Sequence, residues 1–408
     1  MAELLSFLVL ISASLFLSEL FRRFHLPYVV ALILAGIIIG PYGLALFEMN
    51  ETIDFLGSIG LVFLMFMAGM EIKLSSFRSI GGSAARFALI NGAIPFLAGF
   101  GIASFFGYDT ISSLLLGIIF VSSSIAVVIP VMESTGLINM KLGKTIVAGT
   151  IVEDVLSLIL LSLFLQSADP TSEMPLPLFY LFVFILLAAL RILMPRAREW
   201  FFSLNSGIEY HFEQELRFIL VMLVGTVVLF DLLGMHSIIA GFFAGLVLSD
   251  SITNETLRRK LHAVSYGIFI PVFFIIIGTQ MDVSILSRWG SALYLVLAIA
   301  AVSVISKFAS GWLAAKSCGF DSKESALAGV STIPQLSTTL AVAFVGLEMG
   351  LLDDNMITAM IILSIATTFI GPILMSAIAR TIKEPPQGPI GHPPPKTLQK
   401  AKSPYAES

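Results

Sequence analysis

The chain has 408 residues, of which 57% are hydrophobic and only 12% charged, against about 25% charged in soluble domains. Its mean hydropathy is +0.96, and its formal net charge is −4. These values exclude a soluble globular domain and a basic nucleic-acid-binding protein, and they predict an all-α polytopic membrane protein embedded in a lipid bilayer.

Apolar runs bounded by charges, Gly or Pro predict about thirteen spans, at 3–21, 27–47, 53–71, 84–106, 110–132, 144–166, 176–194, 214–233, 236–250, 262–280, 290–315, 324–347 and 354–379. The start, Met1-Ala2-Glu3-Leu4, has neither a basic n-region nor a small-residue cleavage site, so a first span is expected there and not a removed signal peptide. The span 236–250 is short, and 262–280 contains Pro271. Basic residues alternate with the spans: 21 of the 23 lie at ends facing one side, including Arg22, Arg23, Lys73, Arg78, Lys141, Lys144, Arg258, Arg259 and Lys260. The other side carries Glu48, Glu51, Asp54, Asp109, Asp169, Glu173, Glu348, Asp353 and Asp354, with Arg288 as its one base. The positive-inside rule then puts the N-terminus outside the cell membrane and the C-terminus in the cytoplasm. Residues 1–380 are read as the membrane domain, and the Pro- and Lys-rich stretch 381–408 as a disordered tail with no nucleotide-binding domain behind it. A single cysteine, Cys318, excludes an intramolecular disulfide.

The sixth span carries the chemistry. Glu153 and Asp154 are adjacent in the apolar run 145–165, whose length suits a helix of about 30 Å, so both acids fall near mid-membrane. A charge there costs at least a few kcal/mol unless it is paired, hydrated or protonated. Neighbouring helix positions point about 100° apart, so one packing contact cannot satisfy both. Thr150 and Ser157 stand at i−4 and i+3 from Asp154, on its face, where hydroxyl oxygens suit a hard monovalent cation; bonding back to the helix carbonyls is the other reading. Lys307, in the eleventh span, lies beyond easy snorkelling reach of either end and must lose its proton or find a carboxylate. One lysine against two acids leaves one carboxylate exchangeable, and residue positions alone do not say which. Glu71, ending the third span, is an interfacial charge or a distal cavity acid. His236, His262 and Asp282 are read as interfacial, and Gly36, Gly40, Gly57, Gly60 and Gly69 as close-packing positions.

The fifth and twelfth spans each place hydroxyls beside a proline: Ser122-Ser123-Ser124 with Pro130, and Ser331-Thr332 with Pro334-Gln335-Leu336-Ser337. Proline removes a ladder donor and hydroxyls can re-satisfy the freed carbonyls, so both spans are expected to be interrupted. Each is the middle of a trio, 84–166 and 290–379, and the intervening spans make the trios run in opposite directions. That pattern points to an inverted repeat with two discontinuous helices crossing at the site. No nucleophile arrangement, phosphate-cradling loop or metal-ligand Cys/His spacing is present in the sequence, so neither an enzyme nor a cofactor is expected.

The segments Gly36-Ile37-Ile38-Ile39-Gly40-Pro41-Tyr42-Gly43, Leu64-Met65-Phe66-Met67-Ala68-Gly69-Met70-Glu71 and Pro271-Val272-Phe273-Phe274, together with the acidic pair and Lys307, resemble the monovalent cation/proton antiporters, in the branch of sodium/proton exchangers and potassium-efflux proteins. The resemblance spans about 3–380. It implies a homodimer, with a dimerisation part at about 1–83 and 214–280, a mobile core at about 84–166 and 290–380, and a linker helix at 176–194. It implies that Asp154 binds the cation or a proton, with Na+ (or Li+) seated there, and that Glu153 pairs with Lys307. It also implies electrogenic exchange, since an acid stands at the first position of the pair. Ser123, Ser124, Pro130, Thr332, Pro334, Gln335 and Ser337 fall at the crossing. Two departures stand out: the usual pair is Asp-Asp, and many relatives carry Pro-Arg-Gly-Glu where this chain has Pro334-Gln335-Leu336-Ser337. The expectation is a Na+/H+ antiporter working by alternating access. A K+/H+ antiporter is the alternative of the same class, and an ion channel or ligand-sensing membrane protein the alternative of another.

Overall fold

A computed structural model describes residues 2–23, 28–46, 49–71, 81–168, 175–203, 212–249, 252, 255–281 and 291–382. The tail from residue 383 onward, along with Glu48, Lys73, Arg78, Asp169, Glu173 and Arg288 of the charge pattern and Asp282, lies outside the described residues. Those described contain helices and turns and no strand. In order they are α1 (Ala2–Arg22), α2 (Tyr28–Ile39), α3 (Glu51–Glu71), α4 (Gly82–Phe105), α5 (Thr110–Val121), α6 (Ile125–Ser134), α7 (Lys141–Ala168), α8 (Leu176–Ser203), α9 (Phe212–Leu232), α10 (Ser237–Ser249), α11 (Glu255–Val264), α12 (Ile270–Thr279), α13 (Ser291–Ser317), α14 (Ser322–Ser331), α15 (Ser337–Glu348) and α16 (Asp354–Ala379). Among the described residues, eight helical segments are long and apolar enough to cross a bilayer, and α2, α5, α10 and α15 are shorter apolar helices.

The expected spans appear in order, with corrections that follow from proline and glycine. The second span, read as 27–47, is helical only to Ile39. Pro41 cannot continue the helix, and the chain folds back so that the Leu44 N–H bonds the Ile38 carbonyl at 2.7 Å. The seventh, read as ending at 194, continues through Pro195 to Ser203, and the Arg196 side chain donates to the Ile192 carbonyl at 2.9 Å. In the tenth, α11 and α12 are joined by a π-helical turn, Ser265–Phe269, just ahead of Pro271. Such a turn takes up the ladder register that a proline disturbs. The fifth and twelfth spans are interrupted, as expected. The fifth breaks at Ser122–Ser124 and not at its proline: Pro130 lies inside α6. There it forfeits a single ladder bond, whereas the break itself is extended backbone at Ser122 and Ser124.

The helices pack in two groups. Helix α3 lies along α10, and α2 along α12. Helix α4 lies along α5, α7 and α13, and α13 also packs on α14 and α16. In the first group Gly36, Gly40, Gly60 and Gly69 let backbones approach closely, while Gly57 makes room for the Ile276 side chain. A Cβ on Gly36 would stand 2.1 Å from the Ile275 carbonyl oxygen and 2.9 Å from Gly278 Cα, and one on Gly69 would stand 2.2 Å from the Phe242 carbonyl oxygen. Such close approach supplies dispersion where lipid offers no hydrophobic drive between helices. Capping fixes where the broken spans begin. Asp109 caps α5 by accepting from Ser112 N–H at 3.2 Å, and Asp321 caps α14 in a reciprocal box with Glu324.

Replacing Gly36 with Ala should therefore lower stability by about 1–3 kcal/mol through overpacking. Gly101→Ala, at a position with nothing within 4 Å, should be neutral or slightly stabilising. Thermal unfolding of the two purified variants in detergent checks this, and equal melting temperatures would refute the contact.

Candidate ion-binding site

Helix α7 delivers the acidic pair to the place where both broken spans cross. The breaks bond each other directly: Ser124 N–H donates to the Pro334 carbonyl at 2.7 Å. Four helix ends meet there, with the C-termini of α5 and α14 and the N-termini of α6 and α15. The ends carry opposite partial charges, so the crossing can receive ions of either sign.

The angular offset between the two acids gives them different surroundings. Glu153 is fully buried, and so is Lys307; their Oε2 and Nζ are 3.6 Å apart. The Glu153 carboxylate also accepts from Ser123 Oγ at 3.1 Å on Oε2 and from Asn91 Nδ2 at 2.6 Å on Oε1. Lys307 donates to Ser123 Oγ at 2.9 Å and to the Val121 carbonyl at the C-terminus of α5. A cation belongs at that end of a helix. Close approach of α13 and α14 sets this position: a Cβ on Gly329 would fall 2.6 Å from the Phe308 carbonyl oxygen. Thr332 Oγ1 locks the two together by donating to the Lys307 carbonyl at 2.9 Å.

Asp154 is half-buried and reaches the wall of a cavity of about 50 Å³, room for a few water-sized occupants. Its Oδ1 accepts from Ser122 Oγ at 2.7 Å. The cavity is also lined by Glu71, Ser123, Ser124, Ser337, Thr338 and Tyr266. So the structure brings Asp154, Glu71 and the hydroxyls of both breaks to one space. It does not bring every expected residue there. Thr150 donates to the Ile146 carbonyl at 3.0 Å and Ser157 to the Asp154 carbonyl at 2.9 Å, the back-bonded arrangement. Gln335 turns away, its Nε2 on Ser303 Oγ at 3.2 Å and its backbone N–H on Thr367 Oγ1 at 3.3 Å. Pro130 is exposed on α6. Two contributors were missed, Ser122 and Asn91. Asn91 had a signal: it is the one amide in the apolar run of α4, and intramembrane polar groups are costly unless they serve a purpose.

The sodium/hydrogen exchanger profile, a transmembrane family, matches residues 8–381. The chain belongs to the sodium/hydrogen exchanger family. This exchanger is 29% identical over 379 residues to a probable Na+/H+ antiporter of Methanocaldococcus jannaschii, covering 91% of this chain and 95% of that one. It is 26% identical over 374 residues to a Na+/H+ antiporter of Enterococcus hirae, covering 90% and 95%. Its fold matches the solved sodium proton antiporter MjNhaP1 of M. jannaschii with a TM-score of 0.63 at 20% identity, over 91% of this chain and 96% of that one. The family transports monovalent cations and protons, and the exchanger is a multi-pass membrane protein.

Breaking a buried pair strands its partner, at a cost of about 3–5 kcal/mol. Glu153→Ala or Lys307→Ala alone should lower the melting temperature of the purified exchanger clearly. Glu153→Asn combined with Lys307→Gln should recover most of the loss. Equal stability of single and double variants would show that the pair carries no net interaction.

Proposed function

We propose that this exchanger swaps Na+ for H+ by alternating access, with both ions competing for the Asp154 carboxylate. The observation that carries the reading is the split within the acidic pair: Glu153 is sealed against Lys307, while Asp154 sits at a cavity wall with a single hydroxyl donor. A carboxylate with free lone pairs, facing hydroxyls of both breaks, offers the oxygen ligands a hard cation takes. A bare carboxylate is expensive in the low-dielectric barrier and a neutralised one is not. The core therefore crosses when Asp154 holds Na+ or a proton and resists crossing when empty. A ligand moves the equilibrium only by its differing interactions with the two states.

The cavity lies towards Glu71 at the end of α3, where Arg258 donates to the Met70 carbonyl at 3.1 Å. In the charge pattern this end is cytoplasmic, so we read the conformation as facing the cytoplasm, in a cell membrane with the N-terminus outside. The two packing groups support a division into a scaffold (about 1–83 and 214–280) and a moving core (about 84–166 and 290–380), joined by the helix over 176–194. The scaffold would pair in a homodimer, and the two trios would be inverted repeats.

We further read the cycle as electrogenic, one Na+ against two protons. The second proton comes from Lys307. Paired, it keeps its charge; when the pair opens in a dry site it can release the proton. Asp154→Asn should abolish Na+-driven proton flux in proteoliposomes while leaving the fold intact, and near-normal flux would overturn the assignment. Flux should respond to an imposed membrane potential, clamped with valinomycin and potassium once K+ is shown not to be a substrate. Indifference to potential would overturn the two-proton stoichiometry. Gradients of Li+ and K+ in the same assay decide the selectivity.

A further inference from the structure

Asn91 lies in the middle of α4 with none of its side chain exposed. An amide buried there is costly unless both of its ends are paired. Both are: Nδ2 donates to Glu153 Oε1 at 2.6 Å, and Oδ1 accepts from Ser310 Oγ at 2.6 Å. One side chain thus links the acid on α7 to the helix that carries Lys307. Ser310 Oγ also lies 2.9 Å from the Lys307 carbonyl oxygen.

The two oxygens of Glu153 are not equivalent. Oε2 faces two donors, Ser123 Oγ and Lys307 Nζ, whereas Oε1 faces Asn91. A proton arriving on Glu153 is accommodated best on Oε1, where a single donor must yield. An amide can yield by rotating half a turn, since one end donates and the other accepts. Oδ1 would then accept the carboxyl O–H, and Nδ2 would donate to Ser310 Oγ. The Ser310 proton would swing to the Lys307 carbonyl already within reach. Every polar atom keeps a partner in both states, which a leucine at position 91 could not provide.

We propose that Asn91 is a positioning residue of the exchange cycle: with Ser310 it forms an amide relay that holds Glu153 in place both when it is ionised against Lys307 and while it carries the proton that Lys307 gives up, before that proton leaves the site. The inference rests on the role given to that pair above. The charged groups around Glu153 are Lys307 on α13, Asp154 beside it on α7, and Glu71 across the cavity from Asp154.

The test is Na+-driven proton flux as a function of pH for Asn91→Leu and Ser310→Ala, scaled to the amount of folded protein. Losing a charge-assisted donor favours the neutral carboxyl. The acid limb of the Asn91→Leu profile should therefore move to higher pH by about one unit, and the response to potential should weaken. Ser310→Ala keeps the donor but unpins the amide, so it should move the limb the same way by less. A profile that superimposes on wild type, or moves to lower pH, would overturn the relay. If Asn91→Leu does not fold, Ser310→Ala decides, with an unmoved limb counting against the proposal. If flux is lost in both, Na+-dependent thermal stabilisation across pH reads the same displacement on purified protein. Wild-type exchange indifferent to potential would count against the two-proton reading alone, so the two failures are separable.

Discussion

The cost of charge in a low-dielectric interior governs this structure. Glu153 and Lys307 are both fully buried, and a gap of 3.6 Å between them could not by itself offset taking two ions out of water. The surplus is met by hydrogen bonds from four other elements or breaks. Asn91 on α4, Ser123 in the first break, the Val121 carbonyl at the end of α5, and Thr332 at the second break all bear on the pair or its backbone. Ser123, the Val121 carbonyl and Thr332 are available because a helix is interrupted, whereas Asn91 reaches in from a continuous helix. The broken spans, the glycine contact between α13 and α14, and the buried amide are thus consequences of one requirement, to keep an ion pair dry yet satisfied.

That requirement also explains which parts were legible in the sequence. Spans follow from runs of apolar residues, and a carboxylate inside such a run stands out because its cost is so large. The acids, Lys307 and the hydroxyl-rich breaks were visible for this reason. Proline was a poorer guide than hydroxyls. In the fifth span Pro130 is carried inside α6, and the chain opens at Ser122–Ser124, where side chains and the Pro334 carbonyl take up the freed groups. In the seventh span Pro195 does not end α8. One missing donor is a modest loss, and it breaks a helix only where other partners stand ready for the backbone.

What stayed hidden was three-dimensional pairing. Position along α7 gives the angle between Glu153 and Asp154 but not which one meets Lys307, since that depends on how α13 lies against α4 and α14. Thr150 and Ser157 share a helix face with Asp154, yet both hydroxyl protons go to carbonyls of their own helix. The hydroxyl that reaches the Asp154 carboxylate, Ser122, comes from another span. Asn91 was passed over because an amide carries no charge, although burying one still costs a few kcal/mol unless both of its ends are paired.

The departure at Gln335 bears on the electrical balance of the crossing. A neutral amide stands at Gln335, its Nε2 on Ser303 Oγ, while the backbone N–H of the same residue donates to the α16 hydroxyl of Thr367. Glu153 and Lys307 cancel, so the sign of the crossing is left to Asp154. While the pair is closed, the empty centre bears one negative charge and the protonated centre none; in the proposed electrogenic cycle Na+ on Asp154 goes with loss of the Lys307 proton, so the two loaded states differ by one charge. No compensating charge at Gln335 blurs that difference. In a medium where an uncompensated charge costs several kcal/mol, a change of one unit weighs on how readily the core crosses and makes the crossing respond to the membrane potential.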